Sequence, residues 1–245
     1  MTAFAFIQYL GPLLRGAKVT VEVFLGAAAI SLVMALIVGL GRLSPRKPVR
    51  WLSTVYIEFF RGTSVLVQLF WIYFALPAFG VSFSALAAGI LALGLNVGAY
   101  GGELVRGAVQ AVPRGQVEAA IALNMSPTLR MRRVILPQAV VAILPPMGNL
   151  MIELLKGTSL VSLVTLSDLT FQAQILRSRT GDTVTIFVLV LIIYFLMSSV
   201  ITACVRVLER RVSRGLDVGR QRRSEPSTAG AIARLIDRRQ PGGSA

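Results

Sequence analysis

Three acidic–basic pairs recur at one spacing: Glu58 with Arg61, Glu103 with Arg106, and Glu153 with Lys156. Residues three apart share a helical face, so each pair can neutralise itself where water is scarce. Between the second and third pairs lies a different arrangement, Glu118-Ala119-Ala120, a lone acid followed by small residues. The chemistry open to these groups is binding and gating rather than bond cleavage. The chain has no histidine, so the commonest general base and metal ligand is missing. No Gly-x-x-x-x-Gly-Lys-Ser/Thr loop is present to cradle a nucleotide phosphate. Ser159, three residues beyond Lys156, leaves a Ser–Lys hydrolase formally open, but nothing in the sequence orients it. No catalytic residue and no metal ligand set is assigned.

The elements that must position these groups are membrane spans. Of the 245 residues, 55% are hydrophobic and only 15% charged, with a mean hydropathy of +0.72. A soluble domain carries about 25% charged residues. No charge occurs in residues 62–102, 134–152 or 183–205, and uncharged apolar runs of about 18 residues or more read as spans. Five are expected, at residues 19–40, 54–76, 85–105, 134–155 and 183–205. The 62–102 stretch is too long for one crossing, and Pro77-Ala78-Phe79-Gly80 supplies the break that folds it into a hairpin. Pro137, Pro145, Pro146 and Gly148 are expected to kink or interrupt the fourth span, as breakers do where backbone lines a cavity. The fold class is therefore all-α, a polytopic helix bundle.

Basic residues orient it. Arg42, Arg46, Lys47, Arg50 and Arg61 precede or open the second span, five arginines lie in residues 106–133, and ten follow the fifth span. The opposite side receives Arg15, Lys18, Lys156, Arg177 and Arg179. By the positive-inside rule the twenty are cytoplasmic and the five are not, which puts the amino terminus outside and the carboxyl terminus inside. The net charge of +14 is thus topological, and nucleic acid is not expected as a partner. Residues 1–18 form an amino-terminal interfacial segment, 19–212 the membrane domain, and 213–245 a basic tail with the composition of disorder, within which residues 231–237 are amphipathic. No cleavable signal is read in residues 1–16. The single cysteine, Cys204, lies in an apolar run and cannot form an intrachain disulfide.

Within the spans, the three acid–base pairs either line a translocation path and gate it or anchor helix ends. Asn96 in the third span is the polar group placed to touch a solute or to hydrogen-bond a neighbouring helix. Gln68 and Ser159 are weaker versions of the same candidate. The aromatic cluster of the second span could hold a cationic solute or simply pack.

The loop at 106–133 is long. Pro113-Arg-Gly-Gln precedes a helix with Glu118 in its first turn, where the helix dipole favours an acid. Asn124 can take the left-handed conformation that ends this helix, and Ser126-Pro127 fits a cap and first position of the next. The expected product is a slim helix–turn–helix suited to a groove on a soluble partner.

This pattern resembles the signature loop of permeases of ATP-binding-cassette (ABC) importers: Glu-Ala-Ala, three residues, glycine, nine residues, then Ile-x-Leu-Pro. Glu118, Ala119, Ala120, Leu136 and Pro137 match, while Asn124 stands for the glycine and Val134 for the isoleucine. The resemblance implies a membrane-spanning subunit of five transmembrane helices with a cytoplasmic helical coupling loop, set in the bacterial plasma (inner) membrane. It further implies a cytoplasmic ATPase dimer that receives the loop, a second permease, identical or sister, and an extracytoplasmic solute-binding protein. No cofactor is bound by the chain itself; ATP and magnesium belong to the ATPase. Glu58–Thr63, Leu66–Phe70, Pro113–Gln116 and Lys156–Ser162 resemble the polar amino-acid uptake branch. Leu93–Tyr100 and Ala122–Pro127 look most like ectoine and hydroxyectoine permeases. A secondary transporter or channel is the alternative, against which the basic loop argues.

Overall fold

The computed structural model describes residues 3–215 of the chain, all of whose regular structure is helical. The expected tail, from residue 216 onward, and its amphipathic piece at 231–237 lie outside the described residues. Four helices are long and apolar enough to cross a membrane, and the pair Lys47–Gly62 and Val65–Phe79, bent by 101°, brings the count to five when taken as one span.

Helix α1 (Ala3–Arg42) and helix α4 (Ala85–Gln110) form the spine of the bundle. Small residues on both sides let their backbones approach. On α1 the row is Ala27, Ser31, Ala35 and Gly39, one every four residues, and α4 opposes it with Gly94, Gly98, Gly101 and Gly102. A methyl group built on Gly101 would stand 2.7 Å from the Ala35 Cβ, and one on Gly39 would stand 2.7 Å from the Gly102 carbonyl oxygen. Ser84 caps α4 by accepting from the Ala87 amide at 3.2 Å.

Helix α2 (Lys47–Gly62) packs on α4, where the Tyr56 hydroxyl donates to the Leu95 carbonyl at 2.7 Å. The second span then departs from expectation. It breaks at Thr63 and Ser64, whose backbones are extended, and resumes as α3 (Val65–Phe70), a π turn and a 3₁₀ turn ending at Phe79, bent by 101° from α2. Gly-Thr-Ser at 62–64 is the local cause, because glycine and hydroxyl residues favour non-helical backbone. The hairpin at Leu76–Gly80 forms as expected, with Gly80 at φ 84°.

The fourth span differs in the other direction. A short helix α6 (Pro127–Arg130) passes through a π turn into α7 (Leu136–Gly157) without interruption, Pro145 and Pro146 included. Each proline deletes one backbone bond, but both rings are accommodated inside the helix. Residues 1–18 are not a separate segment in shape: α1 is helical from Ala3, and Leu13 and Ala17 are buried against Leu169, Ala173 and Ile186. Those partners belong to α8 (Leu169–Thr180) and α9 (Thr183–Gly215). Helix α8 was not among the expected elements. Fully buried Asp168 caps it, accepting from the Phe171 amide at 2.9 Å, and Gly16 lets its backbone press against α1.

Candidate functional site

A cavity of about 290 Å³ opens between α2, α4 and α7. Arg61 comes from α2, Tyr100 and Glu103 from α4, and Pro146, Asn149 and Glu153 from α7. One member of each expected acid–base pair therefore reaches a single site, although the pairs themselves mostly do not form. Glu103 and Arg106 meet, with nitrogen–oxygen distances of 2.8 and 3.1 Å. Glu58 and Arg61 do not: the Arg61 guanidinium lies 5.3 Å from the Tyr100 ring centre, over its face, a cation–π arrangement. Glu153 and Lys156 are both exposed and share no ion pair.

Glu103 has a second partner that helical spacing does not reveal. Arg42, the last residue of α1, also bonds its carboxylate. Arg106 in turn donates to Gln110 at 2.6 Å. The result is a chain of charges joining α1 to α4 at the arginine-rich end of the bundle. The side chains of Arg42, Glu103 and Arg106 keep 22%, 19% and 32% of their surface, so water reaches the cluster only partly. Arg42 reads in sequence as one loop charge among several; its role depends on a contact 61 residues away in sequence.

Asn96 and Gln68 are nearly buried and serve the break in the second span. Asn96 donates to the Phe60 carbonyl at 2.8 Å and to the Gln68 amide oxygen at 3.2 Å. Gln68 donates to the Phe60 carbonyl at 3.1 Å and to the Thr63 hydroxyl at 2.6 Å. The carbonyls that α2 leaves behind where it stops are thereby satisfied. Of the two readings of Asn96, the structure places it in an interhelical hydrogen bond. Ser159 donates to the Lys156 backbone carbonyl at 2.9 Å, so it forms no dyad with the lysine side chain.

The loop between α4 and α7 folds as its turn chemistry dictates. Helix α5 (Arg114–Ala122) is followed by Asn124 at φ 58°. The Asn124 amide bonds the Ile121 carbonyl at 2.8 Å, and the Met125 amide bonds the Ala120 carbonyl at 3.1 Å, the two bonds of a Schellman cap. Ser126 accepts from the Leu129 amide at 3.4 Å, with Pro127 at the first helical position. One expectation is corrected here. The helix begins at Arg114, so Glu118 sits in its second turn and draws nothing from the helix dipole at the first. Ala120 is buried, and Val117 packs with Val105, Val109 and Ile135. Leu136 and Pro137 open α7 directly beyond. Glu118, Ala119, Ile121 and Leu123 remain exposed, Leu123 at 76%. The two large apolar residues went unnoticed in sequence, although their flanking of the Glu-Ala-Ala core was visible.

An all-helical membrane bundle with charged groups gathered on a cavity between its helices, and a helical hairpin held out at one end, has the design of a transport component rather than an enzyme. The chain belongs to the family of binding-protein-dependent transport system inner membrane components, whose model matches residues 22–214. It is 49% identical over 213 residues to a probable amino-acid ABC transporter permease protein, y4tF, of Sinorhizobium fredii, covering 84% of this chain and 90% of the relative. It is 36% identical over 209 residues to the L-cystine transport system permease protein TcyB of Bacillus subtilis, covering 84% and 89%. Among solved structures, the crystal structure of an amino acid ABC transporter with histidines superposes with a TM-score of 0.80 at 37% identity, over 86% of this chain and 99% of that one. An inward-facing MetNI methionine ABC transporter shares the fold, with a TM-score of 0.68 at 22% identity over 86% and 99%.

Proposed function

We propose that this chain is the permease subunit of an ABC importer for a polar amino acid or for ectoine or hydroxyectoine. The cavity between α2, α4 and α7 carries this reading. It sets a guanidinium, Arg61, and two carboxylates, Glu103 and Glu153, around about 290 Å³ within membrane-crossing helices. Charges are costly at that depth and are kept where a charged solute or water passes. A zwitterion can give its carboxylate to Arg61 and its cationic group to Glu153, and the solutes named for the relatives, amino acids and L-cystine, are of that kind. The ectoine assignment rests on Leu93–Tyr100 and Ala122–Pro127 alone. Lys156, near the far end of α7, and Ser159, in the 3₁₀ turn that follows it, lie beyond Glu153 and extend the path.

The arginine-rich end is cytoplasmic by the positive-inside rule, so the amino terminus is outside and the carboxyl terminus inside. A cytoplasmic ATPase dimer binds the exposed face of α5 through Glu118, Ala119, Ile121 and Leu123, and holds the ATP and magnesium. A solute-binding protein delivers to the other side. A second permease, identical or sister, completes a path that five spans cannot enclose. Closure of the ATPase pulls the loops and exchanges outward for inward access.

The test is uptake of labelled ectoine, glutamine and arginine into proteoliposomes holding the chain with its ATPase and binding protein. ATP-dependent uptake of one solute class is expected, and Glu118→Lys should abolish it while leaving membrane insertion intact. Uptake by the chain alone would instead establish a secondary carrier or channel. Uptake of arginine or glutamine without ectoine would remove the ectoine assignment.

A further inference from the structure

Helices α7 and α9 touch at Gly148, where a methyl group would stand 2.6 Å from the Val205 Cγ1. Beside that contact they part around a second cavity of about 290 Å³, lined by Pro145 and Asn149 from α7 and by Thr202, Arg206 and Glu209 from α9. Arg206 is exposed and Glu209 half-buried, and neither joins an ion pair among the described residues, although they stand three apart. The Thr202 hydroxyl donates to the Ser198 carbonyl at 2.8 Å, so toward the cavity it can only accept. The recess thus offers donors from Arg206 and the Asn149 amide, acceptors from Glu209 and Thr202, and no net charge. Its depth follows from α9. Arg206 is the first charge after the charge-free run at 183–205, which at about 1.5 Å per residue is long enough to cross the hydrocarbon. The recess therefore lies at headgroup depth, at the arginine-rich end of the bundle. Leading away from it along α9 is an exposed apolar row, Val184, Val188, Leu191 and Phe195, spaced by three and four. Thr202, Arg206 and Glu209 continue that row two turns on.

A polar recess at the foot of an apolar track has the outline of an amphiphile. We propose that this cleft binds a phospholipid whose headgroup is a phosphodiester bearing a primary ammonium, as in phosphatidylethanolamine. The phosphate takes the guanidinium of Arg206 and the amide N–H groups of Asn149, charge-assisted bonds of the stronger kind. The ammonium donates to the Glu209 carboxylate and the Thr202 hydroxyl, and the acyl chains lie along Val184–Phe195. Other headgroups satisfy the recess less well. A quaternary ammonium has no N–H to donate, and a purely anionic headgroup sets its charge beside Glu209 with nothing to offset it. A free phosphate ion has the same defect and makes no use of the apolar row. The cleft is separate from the cavity assigned to the solute, and its occupancy does not depend on which solute is carried.

The test is native mass spectrometry of the full-length protein in mild detergent, stripped of lipid and then titrated. Phosphatidylethanolamine, phosphatidylcholine and phosphatidylglycerol with the same acyl chains are added in turn, and inorganic phosphate in a separate arm. Phosphatidylethanolamine should bind about tenfold more tightly than phosphatidylcholine, and phosphate should not displace it. Arg206→Gln should weaken all three lipids by about tenfold, and Arg206→Lys, which keeps the charge but loses the fork, by less. Glu209→Gln should bring phosphatidylethanolamine down to the level of phosphatidylcholine, a loss of discrimination that simple unfolding does not produce. Arg50→Gln, at an exposed arginine outside the cleft, should change nothing. Thermal unfolding of each variant separates lost binding from lost fold. Equal binding of phosphatidylethanolamine and phosphatidylcholine, or unchanged binding in both Arg206→Gln and Glu209→Gln, would overturn the headgroup site. Displacement of lipid by phosphate would reduce the cleft to an anion site and overturn the lipid, as would a lipid-free cleft covered by a second permease.

Discussion

The guanidinium of Arg42, the last residue of α1, is bonded to the carboxylate of Glu103, five turns into α4. Arg106 holds the other carboxylate oxygen from one turn further along. One acid thus fixes two cations, and the two members of the bundle's spine are tied at the end from which the α5 loop departs.

Removing that acid leaves two partly buried arginines facing each other, whereas removing Arg42 leaves Glu103 still paired. Glu103→Gln should therefore cost more than Arg42→Gln, by about 1–3 kcal/mol against roughly 1. Thermal unfolding of the purified protein in detergent gives the comparison, and an equal cost for both would show that Arg106 alone saturates the carboxylate.

The φ of 58° at Asn124 sets a second expectation. Asn124→Gly should be close to neutral, and Asn124→Val should cost about 1–2 kcal/mol or more because a β-branched residue resists the left-handed region. Its functional signature is lost uptake with normal membrane insertion. Full uptake by the valine variant would mean that the Schellman turn is dispensable.

Asn96 and Gln68 hold the same carbonyl, that of Phe60. Asn96→Leu and Gln68→Leu should each destabilise by about 1–3 kcal/mol, and the double variant by less than their sum. Additive costs in a double-mutant cycle would indicate separate roles. If Asn96 instead contacts solute, the leucine variant should keep its stability and raise KM.

Where α1 and α4 touch, there is no room for a side chain. Gly101→Leu should prevent their approach, given the 2.7 Å to the Ala35 Cβ, and cost about 1–3 kcal/mol or abolish folding. Gly107, with open space where its side chain would be, is the matched control. Alanine there should be tolerated in an expression and thermal-shift assay.

Much of this molecule is written locally. Charge-free runs located α4 and the start of α9 to within a few residues, and Asn124, Ser126 and Pro127 announced their turn through their own backbone preferences. What the sequence concealed depends on contacts between distant segments. Arg42 looks like a topological charge until α1 and α4 are side by side. Gln68 and Asn96 read as polar groups with no evident partner until the break after Gly62 gives them carbonyls to satisfy. The break itself had a local signal in Gly62-Thr63-Ser64, masked by the strong hydropathy around it. Helix α8 was missed because its polar, short segment crosses nothing; only burial of Asp168, Leu169 and Ala173 against α1 and α9 defines it. The prolines do not interrupt α7, since a packed helix tolerates a ring that an isolated one would not.

The unbroken passage from α6 into α7 makes a rod of some 31 residues, about 46 Å at the usual rise. Such a rod does not shorten. A displacement applied at the Asn124 turn travels its length as translation until Pro145 and Pro146, where two absent backbone bonds leave it softest to bending. Asn149, Glu153 and Lys156 all lie beyond these two prolines, so bending at that point would redirect the exposed polar groups of α7 and leave the Asn124 turn in place.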